Sequence, residues 1–236
     1  MEFADIHCHA LYGVDDGAED EAEMRDMLDA MYRDGIKTVC FTPHFNPGIF
    51  PPLADVKKRH FEAACDYVAK TYPDMKLFLG SELFWHNSAI DSLLSGECFT
   101  LAGTRRVLVE FSPYDDPQII RQGVTNLLTS GFIPVVAHVE RYAFLCKKPE
   151  LIRELRDLGA YIQVNAASVT GGRGFFMKRL VFGLIRMGLV DIVADDCHNI
   201  KDKSPGLSAA YSKIKRKFGQ EVAEDLFVGY PMRVIS

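Results

Sequence analysis

Apolar positions along the chain alternate between two spacings. Met24, Met27, Leu28 and Met31 recur at the helical period and predict an amphipathic helix over residues 19–34, stopped by Gly35. The β-rich run 37–42 follows it. The same reading predicts helices over 55–72 (on Phe61, Ala64, Cys65 and Val68), near 88–94, over 117–130 (on Ile120, Val124, Leu127 and Leu128), over 149–158 and 175–187, and finally at about 206–218 and 220–228. It predicts strands ending at Asp5-Ile6 and over 37–42, 76–80, 106–111, 132–137, 160–164 and 190–194. At Gly35, Gly131, Gly159 and Gly188 the order is helix, glycine, strand, which is the chemistry of short αβ loops in a parallel sheet. The strands are apolar throughout, as strands covered on both faces should be. There is no fixed-length repeat, low-complexity tract or linker. An unbroken series of β/α units predicts one α/β domain over residues 1–236, a (β/α)7 barrel, with an open doubly wound sheet as the alternative.

Composition narrows the function. The 236 residues are 48% hydrophobic and carry a net charge of −5, which argues against nucleic acid as the main partner. The N-terminus has neither the basic nor the apolar region of a signal peptide, and no apolar run suits a membrane span. The expected compartment is the cytoplasm. Cys8, Cys40, Cys65, Cys98, Cys146 and Cys197 form no CxxC pair and read as reduced, mostly buried thiols. Six positions after each cysteine stand Val14, Asn46, Thr71, Thr104, Ile152 and Lys203. None is arginine, so the cysteine-phosphatase pattern is absent. A G-x-S-x-G elbow is absent too.

The chemistry sits at the strand ends. The first strand runs into His7 and His9, two apart and hence on one side of extended backbone, with Asp15 and Asp16 beyond. Later strands end at His44, Glu82, Glu110, His138-Val-Glu140-Arg141, Asn165, and Asp195-Asp196-Cys-His198. Five of the seven histidines follow predicted strands; only His60 and His86 do not. In parallel α/β folds the carboxyl ends of the strands share one face, so these residues are expected to converge. Imidazoles with carboxylates, and no convergent thiolates, suit Mn²⁺, Zn²⁺ or Fe²⁺. The number of donors exceeds one site and suggests two or three ions, which together acidify water and stabilise charge on a phosphoryl group. Arg141, beside His138, has the planar fork that grips phosphate.

Asp5-Ile-His-Cys-His9, Asp15-Asp-Gly17, Thr42-Pro-His44, Gly80-Ser-Glu82, Val109-Glu-Phe111, Ala137-His-Val-Glu-Arg-Tyr142 and Ala194-Asp-Asp-Cys-His-Asn199 together resemble the PHP (polymerase and histidinol phosphatase) superfamily. Within it they resemble the bacterial manganese-dependent protein-tyrosine phosphatases associated with capsule and exopolysaccharide operons. The resemblance covers nearly the whole chain. It implies a distorted (β/α)7 barrel with a metal centre at the carboxyl end of the strands. It also implies that His7, His9, Glu82 and Asp196 hold one ion, that Glu82, Glu110 and His138 hold a second, and that Asp16, His44 and His198 hold a third. His138, Asp196 and Arg141 would then be catalytic, with Arg141 binding the substrate phosphate. The implied partner is a phosphotyrosyl protein, the tail of a bacterial tyrosine autokinase. A small-molecule phosphatase of the histidinol-phosphatase kind and a catalytically silent metal-binding module are the rival readings. One departure is Lys203, which stands where that branch commonly has a second phosphate-binding arginine. Either lysine grips there with charge but no fork, or another cation such as Arg173 supplies the grip.

Other features have plainer expectations. Residues 170–174, Thr-Gly-Gly-Arg-Gly, read as a connecting loop more than a phosphate cradle. Phe45, Phe84, Trp85, Phe111, Tyr114 and Tyr142 lie past strand ends, and two or three of them are expected to wall a substrate pocket. The acidic residues 19–23 read as a helix start complementing the dipole, and the resemblance implies a self-association contact there as the alternative. Cys8 should point away from His7 and His9.

Overall fold

The computed structural model describes residues 1–51, 53–201 and 204–236. Its strands are β1 (Phe3–Cys8), β2 (Ile36–Phe41), β3 (His44–Phe45), β4 (Lys76–Leu79), β5 (Glu82–Phe84), β6 (Arg106–Glu110), β7 (Ile133–Val136), β8 (Tyr161–Asn165) and β9 (Ile192–Ala194). All pair in parallel, in two ladders with the orders β1-β2-β4 and β3-β5-β6-β7-β8-β9. The two ladders belong to one series of strand paths. Gly80 N donates to Phe41 O at 2.7 Å and Glu82 N to Pro43 O at 3.2 Å, so pairing continues across the breaks between β2 and β3 and between β4 and β5. Beyond β9, a parallel bridge joins Cys197 to Cys8, and Asp196 N donates to His7 O at 2.9 Å. The result is the expected distorted barrel, with its ladder interrupted rather than continuous.

The principal helices are α1 (Glu21–Asp34), α2 (Ala54–Thr71), α3 (Ala89–Ser95), α4 (Pro117–Thr129), α5 (Ala143–Lys147), α6 (Pro149–Leu158), α7 (Ala166–Thr170), α8 (Phe175–Arg186), α9 (Leu207–Phe218), α10 (Gln220–Glu224) and α11 (Tyr230–Val234). A π-helical turn over Asp225–Gly229 joins the last two. Short α5, α7 and α11 have no periodic signal of their own, and the sequence reading lacks them. α1 starts later than expected because Asp20 caps it. Its carboxylate accepts from Glu23 N at 2.9 Å while Glu23 Oε2 accepts from Glu19 N at 2.9 Å, so two acids of the run satisfy backbone donors at the helix start. Gly35 and Gly159 end their helices at φ 91° and 113°, a left-handed turn that side chains with a Cβ resist.

The helices bury one face each against the strands. Met24, Met27, Leu28 and Met31 of α1, Ile120, Val124 and Leu127 of α4, and Ile152 and Leu155 of α6 join strand residues such as Val39, Val109 and Val164 in the main core. A smaller cluster ties Ile6, Leu108, Val135 and Ile192 to Val234 and Ile235 at the chain's end. Among the described residues, no helix is long and apolar enough to cross a membrane. The polar residues that remain buried lie mostly at the strands' carboxyl ends.

Candidate metal centre

β1 delivers His7 and, just past its end, His9. Their Nε2 atoms meet at 3.2 Å. His9 Nδ1 lies 2.8 Å from Asp15 Oδ2, which fixes the ring and turns Nε2 inward. Asp15 also accepts from His44 N at 2.9 Å and Gly17 N at 3.0 Å, so it ties the end of β1 to the start of β3. The loop can fold this tightly because residue 17 is glycine: a Cβ there would stand 1.8 Å from the His9 carbonyl oxygen.

Glu82, opening β5, is the hub. Its Oε2 lies 3.2 Å from His7 Nε2, 3.3 Å from His9 Nε2 and 3.1 Å from His44 Nδ1, and its Oε1 lies 2.8 Å from His138 Nε2. Glu110, ending β6, reaches His138 Nε2 and His44 Nδ1, each at 3.5 Å. Asp196 Oδ1 lies 3.5 Å from His7 Nε2 and 3.6 Å from His9 Nε2. Asp16 Oδ1 lies 3.4 Å from His44 Nε2 and 3.5 Å from His198 Nε2. Donor atoms therefore converge in overlapping sets: His7, His9 and Glu82; His7, His138 and Asp196; His44, Glu82 and Glu110; and His9, Asp16, His44 and His198. All nine residues expected from the sequence come together. The grouping differs from the expected one: His9 reaches the Asp16 set as well as Glu82, His138 joins His7 and Asp196, and His44 joins Glu82 and Glu110.

Hydrogen bonds do not account for this packing. Glu82 Oε2 is buried and accepts none, although three imidazole nitrogens surround it. Lone pairs aimed at shared points between side chains are what divalent cations satisfy, and nitrogen with carboxylate oxygen suits borderline-to-hard ions. The charges of the cluster are strongly coupled. Burial opposes charge on His138, yet the Glu110 and Glu82 carboxylates hold its imidazolium up to about 10. Burial likewise opposes charge on Asp196, but His7 and His138 bring its carboxyl down to about 2. Glu82 is held well below its usual range by His7, His44 and His138 against its burial. Backbone strain marks the same place. His138 (φ 33°) and Asp196 (φ 53°) are two of the three non-glycine residues with positive φ among the described residues.

A second layer orients these groups. Gln163 Oε1 accepts from His138 N at 2.6 Å and lies 3.3 Å from His7 Nδ1. Its amide nitrogen donates to Asn165 Oδ1 at 2.8 Å, and Asn165 Nδ2 donates to Asp196 Oδ2 at 2.6 Å. Glu140 Oε1 holds Asn165 N and the Ser168 hydroxyl at 2.9 and 2.7 Å. Behind His7, Asp5 Oδ1 accepts from His7 N at 3.2 Å and Asp195 N at 3.1 Å, and burial raises its carboxyl to about 6. Sequence reasoning passed over Asp15 and Gln163 as metal-site supports. Their signal was weak, an acid beside an acid and a polar residue inside an apolar strand.

Cys8 is buried on the other side of β1, as expected, with the Cys197 thiol 3.7 Å away. Strand pairing at the barrel seam brings these two thiols together, apart from the imidazole–carboxylate sets. The contact with Cys8 and burial push the Cys197 thiol well up, away from the thiolate form. His60 stacks on Tyr12 at 3.8 Å and contacts its carbonyl, and His86 joins none of the donor sets among the described residues.

A pocket of about 360 Å³ opens over the centre, lined by Asp16, His44, Asn46, Ile49, Phe50, Phe84, Glu110, Phe111, Pro113, Arg141, Asp196 and His198. Of the six aromatics considered, Phe84 and Phe111 line it. Phe45 and Tyr142 are core residues, Trp85 faces α4, and Tyr114 is exposed. Phe50 was missed because it lies in a proline-flanked loop without periodicity; its ring is parallel to His44 at 5.3 Å. Arg141 Nη1 stands 3.3 Å from His138 Nε2, and Arg173 Nη2 stands 4.0 Å from Asp196 Oδ2. Arg173, in this connecting segment, thus stands at the centre's edge. Lys203 lies outside the described residues.

The sequence pattern of the family described as "Capsular polysaccharide synthesis, CpsB/CapC" matches residues 3–236. The tyrosine-protein phosphatase CpsB of Streptococcus pneumoniae is 33% identical over 98% of this chain and 97% of its own length. The tyrosine-protein phosphatase YwqE of Bacillus subtilis is 31% identical over 92% and 86%. A chain from the crystal structures of YwqE and CpsB, described as unique metal-dependent tyrosine phosphatases, superimposes with a TM-score of 0.91 at 28% identity, covering 98% of this chain and 94% of that one.

Proposed function

The chain belongs to the CpsB/CapC family of capsular polysaccharide synthesis, and from that premise we propose that it is a metal-dependent protein-tyrosine phosphatase. The observation that carries the proposal is the convergence of five imidazoles and four carboxylates around Glu82 at the foot of one open pocket. In this reading His7, His9, Asp16, His44, Glu82, Glu110, His138, Asp196 and His198 are the ligands of two or three divalent ions, with Mn²⁺ the expected metal. When bound, such ions supply Lewis-acid stabilisation of a phosphoryl group and lower the pKa of water.

The chain's own side chains do the rest. Arg141 presents a guanidinium at the pocket wall beside His138, where it meets phosphate oxygens with two parallel N–H donors. Arg173, reaching toward Asp196 from the opposite segment, adds a second cation, and Lys203 is a further candidate for that grip. Phe50, Phe84 and Phe111 offer flat apolar surface to the ring of a phosphotyrosine, and their bulk keeps water from the pocket's flank. Gln163 and Asp15 hold His7 and His9 in the orientations that aim Nε2 inward. The departing phenol has a pKa of about 10, so its oxygen leaves with little help from a proton donor.

The proposed substrate is the tyrosine-rich tail of a bacterial autokinase that controls polysaccharide synthesis, met in the cytoplasm. Self-association through residues 19–23 belongs to the same proposal and is read by sedimentation velocity. The test of substrate class is side-by-side turnover of a phosphotyrosyl peptide and histidinol phosphate by the Mn²⁺-loaded chain. Preference for the peptide supports the proposal. Preference for histidinol phosphate favours a small-molecule phosphatase, and no turnover of either with metal bound favours a silent metal-binding module.

A further inference from the structure

Helix α8 has a second, outer face, of which Phe182 packs on Phe218 at 5.6 Å and the rest meets solvent. Val181, Leu184 and Ile185 are buried beneath it. Phe175, Lys178, Arg179, Phe182 and Arg186 fall at helical spacing along one outer stripe, and with Lys217 of α9 they line one open groove of about 420 Å³. At the head of the stripe Phe175 and Phe176 are 70% and 86% exposed, their rings edge to face at 5.9 Å. Charge is segregated here as well. α8 holds Lys178, Arg179 and Arg186, α9 holds Lys213, Lys215, Arg216 and Lys217, and neither contains an acid. These two helices hold seven of the chain's 27 Lys and Arg, which leaves 20 elsewhere against 32 Asp and Glu. Lys178 lies over the Phe182 ring at 5.5 Å and Lys215 over the Tyr211 ring at 5.9 Å.

From this face we infer that the chain docks peripherally on an anionic lipid surface. Bare phenylalanines beside a run of cations are the two elements of interfacial binding: rings enter the headgroup boundary while lysine and arginine meet acidic headgroups. A soluble polyanion would satisfy the cations and leave Phe175 and Phe176 in water. A second copy of the same face would set like charges against one another. α8 is 12 residues long, about 18 Å, and charged, so it lies on the surface rather than crossing it. The stripe begins two residues after Arg173, whose guanidinium is 4.0 Å from Asp196, so docking carries the pocket to the lipid boundary. This inference stands apart from the proposed catalysis.

The test is co-sedimentation of the full chain with extruded vesicles of phosphatidylcholine alone and with about 30% phosphatidylglycerol, at low salt and at about 0.5 M salt. Binding is expected only to the anionic vesicles, weakening about ten-fold or more at high salt. Phe175→Ser with Phe176→Ser should weaken it about five-fold or more, and Lys178→Glu with Arg179→Glu about 100-fold. Both pairs should keep wild-type turnover of a soluble phosphotyrosyl peptide and wild-type circular dichroism. Three results overturn the inference: no co-sedimentation at low salt, equal binding to both vesicle types, or full binding by the folded phenylalanine variant.

Discussion

Ion binding at this centre should release protons, and the amount follows from the geometry. A histidine ligates a metal only when its ligating nitrogen is free of hydrogen. Before ions bind, Glu110 and Glu82 hold the His138 imidazolium up to about 10, and Asp15 and Glu82 hold His9 well above its usual range; burial opposes both effects. At pH 7 His138 is therefore about three units below its titration point, and stripping its proton costs about 4 kcal/mol of binding free energy. That cost falls by about 1.4 kcal/mol for each unit the pH rises. With His138 deprotonating, apparent affinity should rise about ten-fold per pH unit between about pH 6 and 8, and His9, shifted in the same direction, adds to that slope. Calorimetric titration of the chelator-stripped chain with Mn²⁺, in two buffers of different ionisation heat, reads this directly. The heats should differ by at least about one proton's worth of buffer ionisation. An affinity independent of pH, with heats independent of buffer, would refute the assignment of His9 and His138 as ligands.

Three further outcomes follow from named contacts. Arg141→Ala should lower kcat/KM by about 100-fold with metal content unchanged, and Arg141→Lys should recover only part of it because the fork is lost; retention of half the activity in the alanine variant counts against a phosphate grip. Arg173→Ala should raise KM about ten-fold for a phosphotyrosyl peptide and weaken inhibition by inorganic phosphate to the same degree, whereas an unchanged phosphate inhibition constant removes Arg173 from the site. Arg156 meets the buried Asp191 carboxylate with two bonds of 3.1 and 2.6 Å, so Arg156→Met should cost about 3 kcal/mol in chemical denaturation while turnover per folded molecule holds. A loss under about 1 kcal/mol would show that Asp191 is satisfied without it.

Much of this was legible because parallel strands point their carboxyl ends one way. Residues as distant as His7 and Asp196 are brought together by topology, and topology follows from helix, glycine and strand in repeated order. What the sequence concealed depends on approaches between segments. The breaks after Phe41 and Leu79 turn β3 and β5 inward and place His44 opposite Glu82, and no periodicity signals them. The sharing of His9 between donor sets needs ring orientations set by Asp15. The meeting of Cys8 with Cys197 needs the seam between the first and last strands. Phe50 enters the pocket from an irregular loop, where spacing carries no information.

On the proposed function, the nine clustered side chains hold ions required for phosphotyrosine hydrolysis. Its most direct test is turnover of a phosphotyrosyl peptide by the chelator-stripped chain as Mn²⁺ is restored. No turnover is expected after stripping, with recovery in step with metal bound per chain and with Glu82→Gln failing to recover. Full turnover by the stripped chain, or full recovery by Glu82→Gln, would contradict it.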